Sequence, residues 1–212
     1  MKLPQLPTYL NPTTADFQRC DAINAHIPGW SGPNHYCFFR TMLEKFPIQS
    51  ILMLGVYHGR DLAYIEDIQK RLFPTRGLKL VGVDLFDPGP MADWPENMRD
   101  RTWQEMGFGP NPNEKAATNN APTAVIVKGN SIEYLALGGV TFDLIYFDTS
   151  HDENTLKSEI EACSKSVHSQ TLLSGDDYND NPNWGVKRVV DRSFKDKRIY
   201  PPIWLASVEL LK

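Results

Sequence analysis

Two apolar runs of this chain end in carboxylates. Phe142-Asp143-Leu144-Ile145-Tyr146-Phe147 leads into Asp148 and then Thr149-Ser150-His151-Asp152-Glu153, and Thr171-Leu172-Leu173-Ser174-Gly175 leads into Asp176-Asp177-Tyr178. Ligands of an open α/β sheet bind at the carboxyl ends of its strands, so acids placed there belong to a site more often than to a core. Three carboxylates drawn within a few ångströms repel one another, and either they take up protons or a cation neutralises them. A hard divalent ion with oxygen ligands is the natural solution, and magnesium keeps positions open for substrate oxygens while lowering the pKa of a bound hydroxyl. The bland alternative makes Asp176 and Asp177 a solvated turn and Asp148 a helix-start acid. His151, next along the chain, has the intrinsic pKa of a general base, or is simply the first residue of a capped helix.

A second group of residues precedes these. Gly55-Val56-Tyr57-His58-Gly59 follows the apolar run Ser50-Ile51-Leu52-Met53-Leu54, where glycines let the backbone approach a ligand and a helix amino terminus favours negative charge. Tyr57 occupies the middle glycine position of the dinucleotide fingerprint, which lowers a nicotinamide oxidoreductase to third place. Asp84, closing Lys79-Leu80-Val81-Gly82-Val83, stands where an acid accepts hydrogen bonds from both hydroxyls of a ribose. Taken one by one, these are equally a tight turn and a loop cap; together they favour a nucleoside ligand. His58 and His35 are weaker candidates than His151.

These residues need a scaffold, and the hydrophobic pattern supplies one. Strands are expected at 50–54, 79–83, 124–127, 142–147 and 171–173, and their continuous apolar character indicates a sheet covered on both faces. Helices are expected over Thr14–Ile27, Asn34–Phe46, Arg60–Phe73 and Trp184–Phe194. Another follows Ser150, whose spacing to Glu153 fits a capping box, with Leu156, Ile160, Cys163 and Val167 on its apolar face. Arg198–Tyr200 and Ile203–Leu211 read as a strand pair across Pro201-Pro202. Residues 87–122, rich in proline, asparagine and glycine, form a long insertion with one short helix expected over Glu96–Met106, of the kind that serves as a lid or binding loop. Trp94, Trp103 and Phe108 within it, with Trp184, make either an aromatic substrate wall or packing that holds the lid down.

Composition narrows the classes. The 212 residues, 41% apolar and 23% charged, suit one soluble globular domain with a helical extension over 1–48 and the lid-like insertion over 87–122. A net charge of −4 without a lysine or arginine run argues against nucleic acid or anionic lipid as partner. No stretch reaches the roughly 18 consecutive apolar residues of a membrane span, and the first residues lack the apolar centre of a signal peptide. Cys20, Cys37 and Cys163 form no C-x-x-C motif, which points to a reduced, cytoplasmic protein; a homo-oligomer stays open.

The ordered segments Ile51–Arg60, Val81–Asp84, Lys128–Ser131, Phe142–His151 and Ser174–Tyr178 together resemble a class I S-adenosylmethionine-dependent methyltransferase. Within that superfamily the chain is most similar to the small-molecule O-methyltransferases of the macrocin and catechol types and to the cephalosporin hydroxylase-like group. The resemblance implies a Rossmann-like, doubly wound α/β fold, with a seven-stranded, mostly parallel sheet, helices on both faces and an antiparallel C-terminal strand. It implies that Gly55, Tyr57, His58 and Gly59 wrap the methionine part of the cofactor, that Asp84 with Leu85 takes the ribose side, and that Asn130 and Ser131 lie beside the adenine. Asp148, Asp176 and Asp177 match the magnesium ligands of metal-dependent members, which makes Asp148 and His151 the expected catalytic residues. Three positions depart from the pattern: Met53 replaces an acid that orients the cofactor's amino group, Asp61 replaces a small hydroxyl residue, and Ser150 replaces an acid used as a base. The expected activity is methyl transfer to an oxygen of a sugar or phenol-like molecule; the alternative is a non-catalytic S-adenosylmethionine-binding protein of the same fold.

Overall fold

The computed structural model describes residues 8–87, 89 and 100–208. In chain order it contains α1 (Thr14–Asn24), α2 (Pro33–Lys45), β1 (Ser50–Leu54), α3 (Arg60–Leu72), β2 (Lys79–Asp84), α4 (Glu114–Asn120), β3 (Val125–Lys128), α5 (Ser131–Leu137), β4 (Phe142–Phe147), α6 (Glu153–Ala162), β5 (Val167–Gly175), α7 (Val186–Ser193), β6 (Lys197–Tyr200) and β7 (Ile203–Ser207). Local chemistry starts the first two helices. Thr13 and Asp16 cap α1 reciprocally, each side chain accepting from the other's amide. Pro33 opens α2 at a position whose N–H would have no partner in any case.

The strands form one sheet in the order β3-β2-β1-β4-β5-β7-β6. The first five are parallel, and β7 runs antiparallel to both β5 and β6. Side chains alternate across the sheet, so each strand feeds two cores. Ile51, Met53, Leu144 and Tyr146 pack with Tyr36, Phe39 and Met42 of α2 and Leu62 and Ile65 of α3. Leu52, Leu54, Ile145 and Phe147 pack with Leu135, Leu156, Ile160 and Val190 from α5, α6 and α7. Helix α2 therefore belongs to the helical layer on one face of the sheet, since its Tyr36, Phe38, Phe39 and Met42 are buried in that core.

The chain winds outward from β1 through β2 to β3, then returns to place β4 on the other side of β1. This reversal of direction leaves a crevice at the carboxyl ends of β1 and β4. Register sets what lines it. Leu54 pairs with Val83 and with Phe147, and Phe147 pairs with Gly175. The next residue on each strand is Gly55, Asp84, Asp148 and Asp176, so one glycine and three acids form a row across the sheet end, with neighbouring strands about 4.8 Å apart. One pleat beyond Phe147, this row faces the α2 and α3 side.

Several sequence expectations need correction. The cap of α6 is Asp152, whose side chain accepts from the Thr155 amide at 2.8 Å, whereas the Ser150 hydroxyl accepts from the Asp152 amide. An Asp one residue before the helix competes better for its amides than a Ser three before. Val167 opens β5 instead of ending α6, because Cys163–Lys165 tightens into a 3-10 turn that terminates the helix. The insertion is not wholly irregular, since α4 lies in its second half with Ala117 and Ala121 buried. Of the helix expected over Glu96–Met106, residues 96–99 lie outside the described residues and 100–106 are turn and coil. The strand expected to reach Leu211 ends at Ser207; Trp94 and residues 209–211 lie outside the described residues. Among the described residues no helix is long and apolar enough to cross a membrane.

Candidate functional site

The β1–α3 turn is held by backbone geometry that few residues tolerate. Gly55 has φ 87° and Gly59 φ 84°, both left-handed, and Tyr57 at φ 55° shares that region without being glycine. A Cβ on Gly55 would lie 1.8 Å from the Asp148 carbonyl oxygen. The glycine turn and the end of β4 are thus in backbone contact, further joined by the Asp148 amide donating to the Leu54 carbonyl at 2.8 Å.

Asp84 organises the turn. Its Oδ2 accepts from the amides of Val56 (2.7 Å) and Tyr57 (2.8 Å), and its Oδ1 accepts from that of Phe86 (2.6 Å). Three of the four lone-pair sites are thereby taken, and Oδ1 keeps one with which to accept from a ribose hydroxyl. Leu85, the next residue, exposes its apolar side chain. His58 is committed elsewhere: its buried ring donates from Nε2 to the Asn111 carbonyl at 2.9 Å. Among the described residues, that bond is one of several that fasten the insertion to the turn. Others are Tyr57 Oη to the Pro110 carbonyl (2.5 Å), the Asn113 amide to the Tyr57 carbonyl (3.3 Å) and Asn120 Nδ2 to the His58 carbonyl (2.9 Å). Trp103 stacks on Tyr57 at 5.4 Å between centroids, and Trp30 sits 5.0 Å from the same ring. Trp30, which the sequence reading passed over, thus joins Trp103 in one aromatic group above the turn.

Asn130 and Ser131 open α5. The Asn130 side chain caps the helix through the amides of Ile132 and Glu133, and Ser131 Oγ donates to Glu159 Oε1 at 2.5 Å. Thr149 Oγ1 donates to the same oxygen at 2.8 Å, so Glu159 ties the start of α5 to the end of β4. Burial pushes its carboxyl up to about 7, and the two hydroxyls pull it only part of the way back. The native state therefore holds a proton that the unfolded chain releases near pH 4.5. Stability should fall as pH rises from about 4.5 to about 7 and stay lower above that, by at most about 3 kcal/mol. Urea unfolding of the protein and of Glu159→Gln from pH 5 to 8 should give a difference that grows with pH, and parallel curves would refute the assignment.

The acids meet where register brings them. Asp148, Asp176 and Asp177 each offer an oxygen within 4.8 Å of the others. A cavity of about 10 Å³, the size of one water or ion, lies among Phe147, Asp148, Thr149, Ser150, Asp176 and Asp177. Burial, and then the charges of Asp176 and Asp177, push the Asp148 carboxyl well above the usual carboxylate range. Asp177 adopts a left-handed φ of 63°, a strained conformation that lets successive residues address one point. Among the described residues the ion-pair partners of these acids are histidines. His151 Nε2 lies 2.9 Å from Asp177 Oδ2, with its ring stacked 3.8 Å from Trp184, and His35 Nε2 lies 2.8 Å from Asp176 Oδ2.

His35 is the residue whose weight the sequence reading most underestimated, since nothing in the start of α2 signals that it reaches β5. Burial lowers its pKa, but Asp176, with Asp61 and Asp148 behind it, outweighs this and raises it to about 9. The Gly32 amide, however, donates to Nδ1 at 3.2 Å. That contact bars a second proton and leaves Nε2 as the donor to Asp176; a cation among the acids would cancel the field that calls for one. Asp176 Oδ1 is buried without a protein partner. A hard cation fits this set, which is all oxygen, over-rich in negative charge and left with an unsatisfied acceptor.

No protein-family model and no curated protein matches the sequence. Solved structures do. The O-methyltransferase NovP superposes with a TM-score of 0.61 at 14% identity, covering 83% of this chain and 80% of that one. The apo form of CalS11, a TDP-rhamnose 3'-O-methyltransferase of calicheamicin biosynthesis, gives 0.57 at 16% identity over 96% and 99%. An O-methyltransferase from Bacillus cereus in complex with SAH gives 0.52 at 15% over 92% of each chain. This chain has the class I methyltransferase fold. In that fold the row of Gly55, Asp84, Asp148 and Asp176 lies at the reversal of strand order, the binding crevice of doubly wound sheets.

Proposed function

We propose that this protein transfers a methyl group from S-adenosylmethionine to an oxygen of a small molecule, with magnesium held by Asp148, Asp176 and Asp177. The convergence of those three carboxylates at the crevice of a methyltransferase fold carries the reading. When bound, the cofactor supplies an electrophilic methyl, and the metal supplies the charge that makes an acceptor hydroxyl acidic. The protein's own part is alignment and proton handling. The β1–α3 turn holds the methionine part of the cofactor, Asp84 with Leu85 its ribose side, and Asn130 and Ser131 lie beside the adenine. His151 takes the acceptor's proton: Asp177 orients its ring from one side and Trp184 from its face, which is the carboxylate–imidazole arrangement of an oriented base. Ser150 leaves that task to it. The aromatic group of Trp30, Tyr57 and Trp103 suits the ring of a phenol or the apolar face of a sugar. The insertion that carries Trp103 acts as a wall pinned to the turn at residues 110–120. Three free, buried cysteines accord with a reduced cytoplasmic setting.

Calorimetric titration of chelator-treated protein with S-adenosylmethionine and S-adenosylhomocysteine, with and without magnesium, tests the reading. We expect micromolar binding of both and a magnesium-dependent heat. Binding without transfer to any of a broad panel of phenols and sugars would favour a non-catalytic protein of this fold, and no binding at all would sink both versions.

A further inference from the structure

Asp61 lies in the first turn of α3, two residues beyond Gly59, and is 6% exposed. Its Oδ2 accepts from Ser31 Oγ at 2.8 Å, but its Oδ1 is buried with no hydrogen-bond partner. A buried carboxylate oxygen left without a donor costs on the order of a few kcal/mol, so the group is held in readiness for one. None of the described residues supplies it. The adjacent Arg60 turns its guanidinium to the Ile27 and Ser31 carbonyls. The Tyr146 hydroxyl, also buried and unpartnered, lies in the field of Asp176, Asp61 and Asp148 but makes no hydrogen bond to Asp61 Oδ1. Burial and the charge of Asp176 push the Asp61 carboxyl upward, and His35 draws it back. Asp61 is not among the three residues whose oxygens gather within 4.8 Å, which separates it from the candidate metal position.

The chemistry that satisfies such an oxygen is an ammonium group, which brings a charge and N–H donors to an acceptor that has none. We propose that Asp61 Oδ1 receives the amino group of the cofactor's methionine moiety. The inference rests on the S-adenosylmethionine reading above. Met53, at the position where an acid would otherwise serve, is buried in the apolar core and has no group to offer a cation. An acid lost from the end of β1 is thus replaced by one from the start of α3, across the same glycine turn.

The test is a thermodynamic cycle read by calorimetry, with S-adenosylhomocysteine and its deaminated analogue, in which hydrogen replaces the amino group, as ligands. The protein should bind S-adenosylhomocysteine about 30-fold more tightly than the analogue, and Asp61→Asn should bind the two within about threefold of each other. Binding of both ligands by the unmodified protein without discrimination would overturn the proposal even if the variant failed to fold, and so would a preference that persists in the variant. If the unmodified protein binds neither ligand, the cofactor reading itself fails and this inference falls with it. An intact cofactor reading with a wrong role for Asp61 gives tight binding of S-adenosylhomocysteine, with either no preference over the analogue or a preference that Asp61→Asn retains.

Discussion

Replacing Asp176 and Asp177 together by asparagine is expected to abolish the magnesium-dependent heat and to reduce methyl transfer at least about 100-fold, while affinity for S-adenosylhomocysteine stays within about threefold. The two acids come from the end of β5, whereas the groups expected to hold the cofactor come from the ends of β1 and β2 and the start of α5, so metal and cofactor binding should separate. Stability gives an independent readout. Magnesium at 100 times its Kd should stabilise the unmodified protein by about 2.7 kcal/mol and the double variant not at all. In chelator the variant should be the more stable of the two, because it relieves repulsion among carboxylates whose burial and proximity already force Asp148 toward its protonated form. Asparagine at 176 retains an oxygen for His35 Nε2, so the α2 contact survives the change. Equal responses to magnesium in the two proteins would falsify the metal assignment.

Gly55→Ala is expected to cost about 3–5 kcal/mol and to lower the Tm by about 10 °C. Two terms add. A residue with a side chain pays about 1–2 kcal/mol to hold the left-handed conformation at φ 87°. The new Cβ, 1.8 Å from the Asp148 carbonyl oxygen, must also push the end of β4 away from β1. That displacement moves a proposed metal ligand, so magnesium affinity should fall with stability, although position 55 bears no ligand. Gly129→Ala is the control, since a Cβ there meets nothing within 4 Å; it should stay within about 0.5 kcal/mol. Thermal melts of the two variants with and without magnesium decide the matter. A Gly55→Ala protein that melted like its parent would mean that β1 and β4 are not in this contact.

Much of the scaffold follows from local pattern. β1 and β4 occupy the expected residues, and α1, α2, α3 and α7 lie within three residues of their expected ends. Continuous apolar runs and apolar stripes such as those of α3 and α7 announce themselves through spacing, whatever surrounds them. The misses are short or competing elements. α4 and α5, seven residues each, bury few side chains and start at Asn113 and Asn130, which read equally as turn residues. β5 begins four residues earlier than the apolar run suggests, because Val167 pairs with Phe142 ahead of a register shift, across which side-chain acceptors of Thr171 and His168 take up the His168 and Gln170 amides.

The candidate site divides along the same line. The sequence by itself determined which acids end which strands, since each follows an apolar run, and it determined the glycine turn and the nucleoside-favouring Asp84. Tertiary structure decided what those residues meet. Strand order set β1 between β2 and β4, and register one pleat past Leu54, Phe147 and Gly175 aligned the acids on the face toward α2 and α3. It also turned His58 from the crevice to the Asn111 carbonyl. Above all it brought His35 to Asp176, 141 positions away in the chain, and left the Asp61 Oδ1 buried without a partner. Periodicity along a chain reports which face a residue occupies, because that is fixed by the backbone within a few residues. Which carboxylate finds a partner and which is left waiting for one depends on contacts between elements far apart in sequence, and those exist only once the sheet has closed its cores.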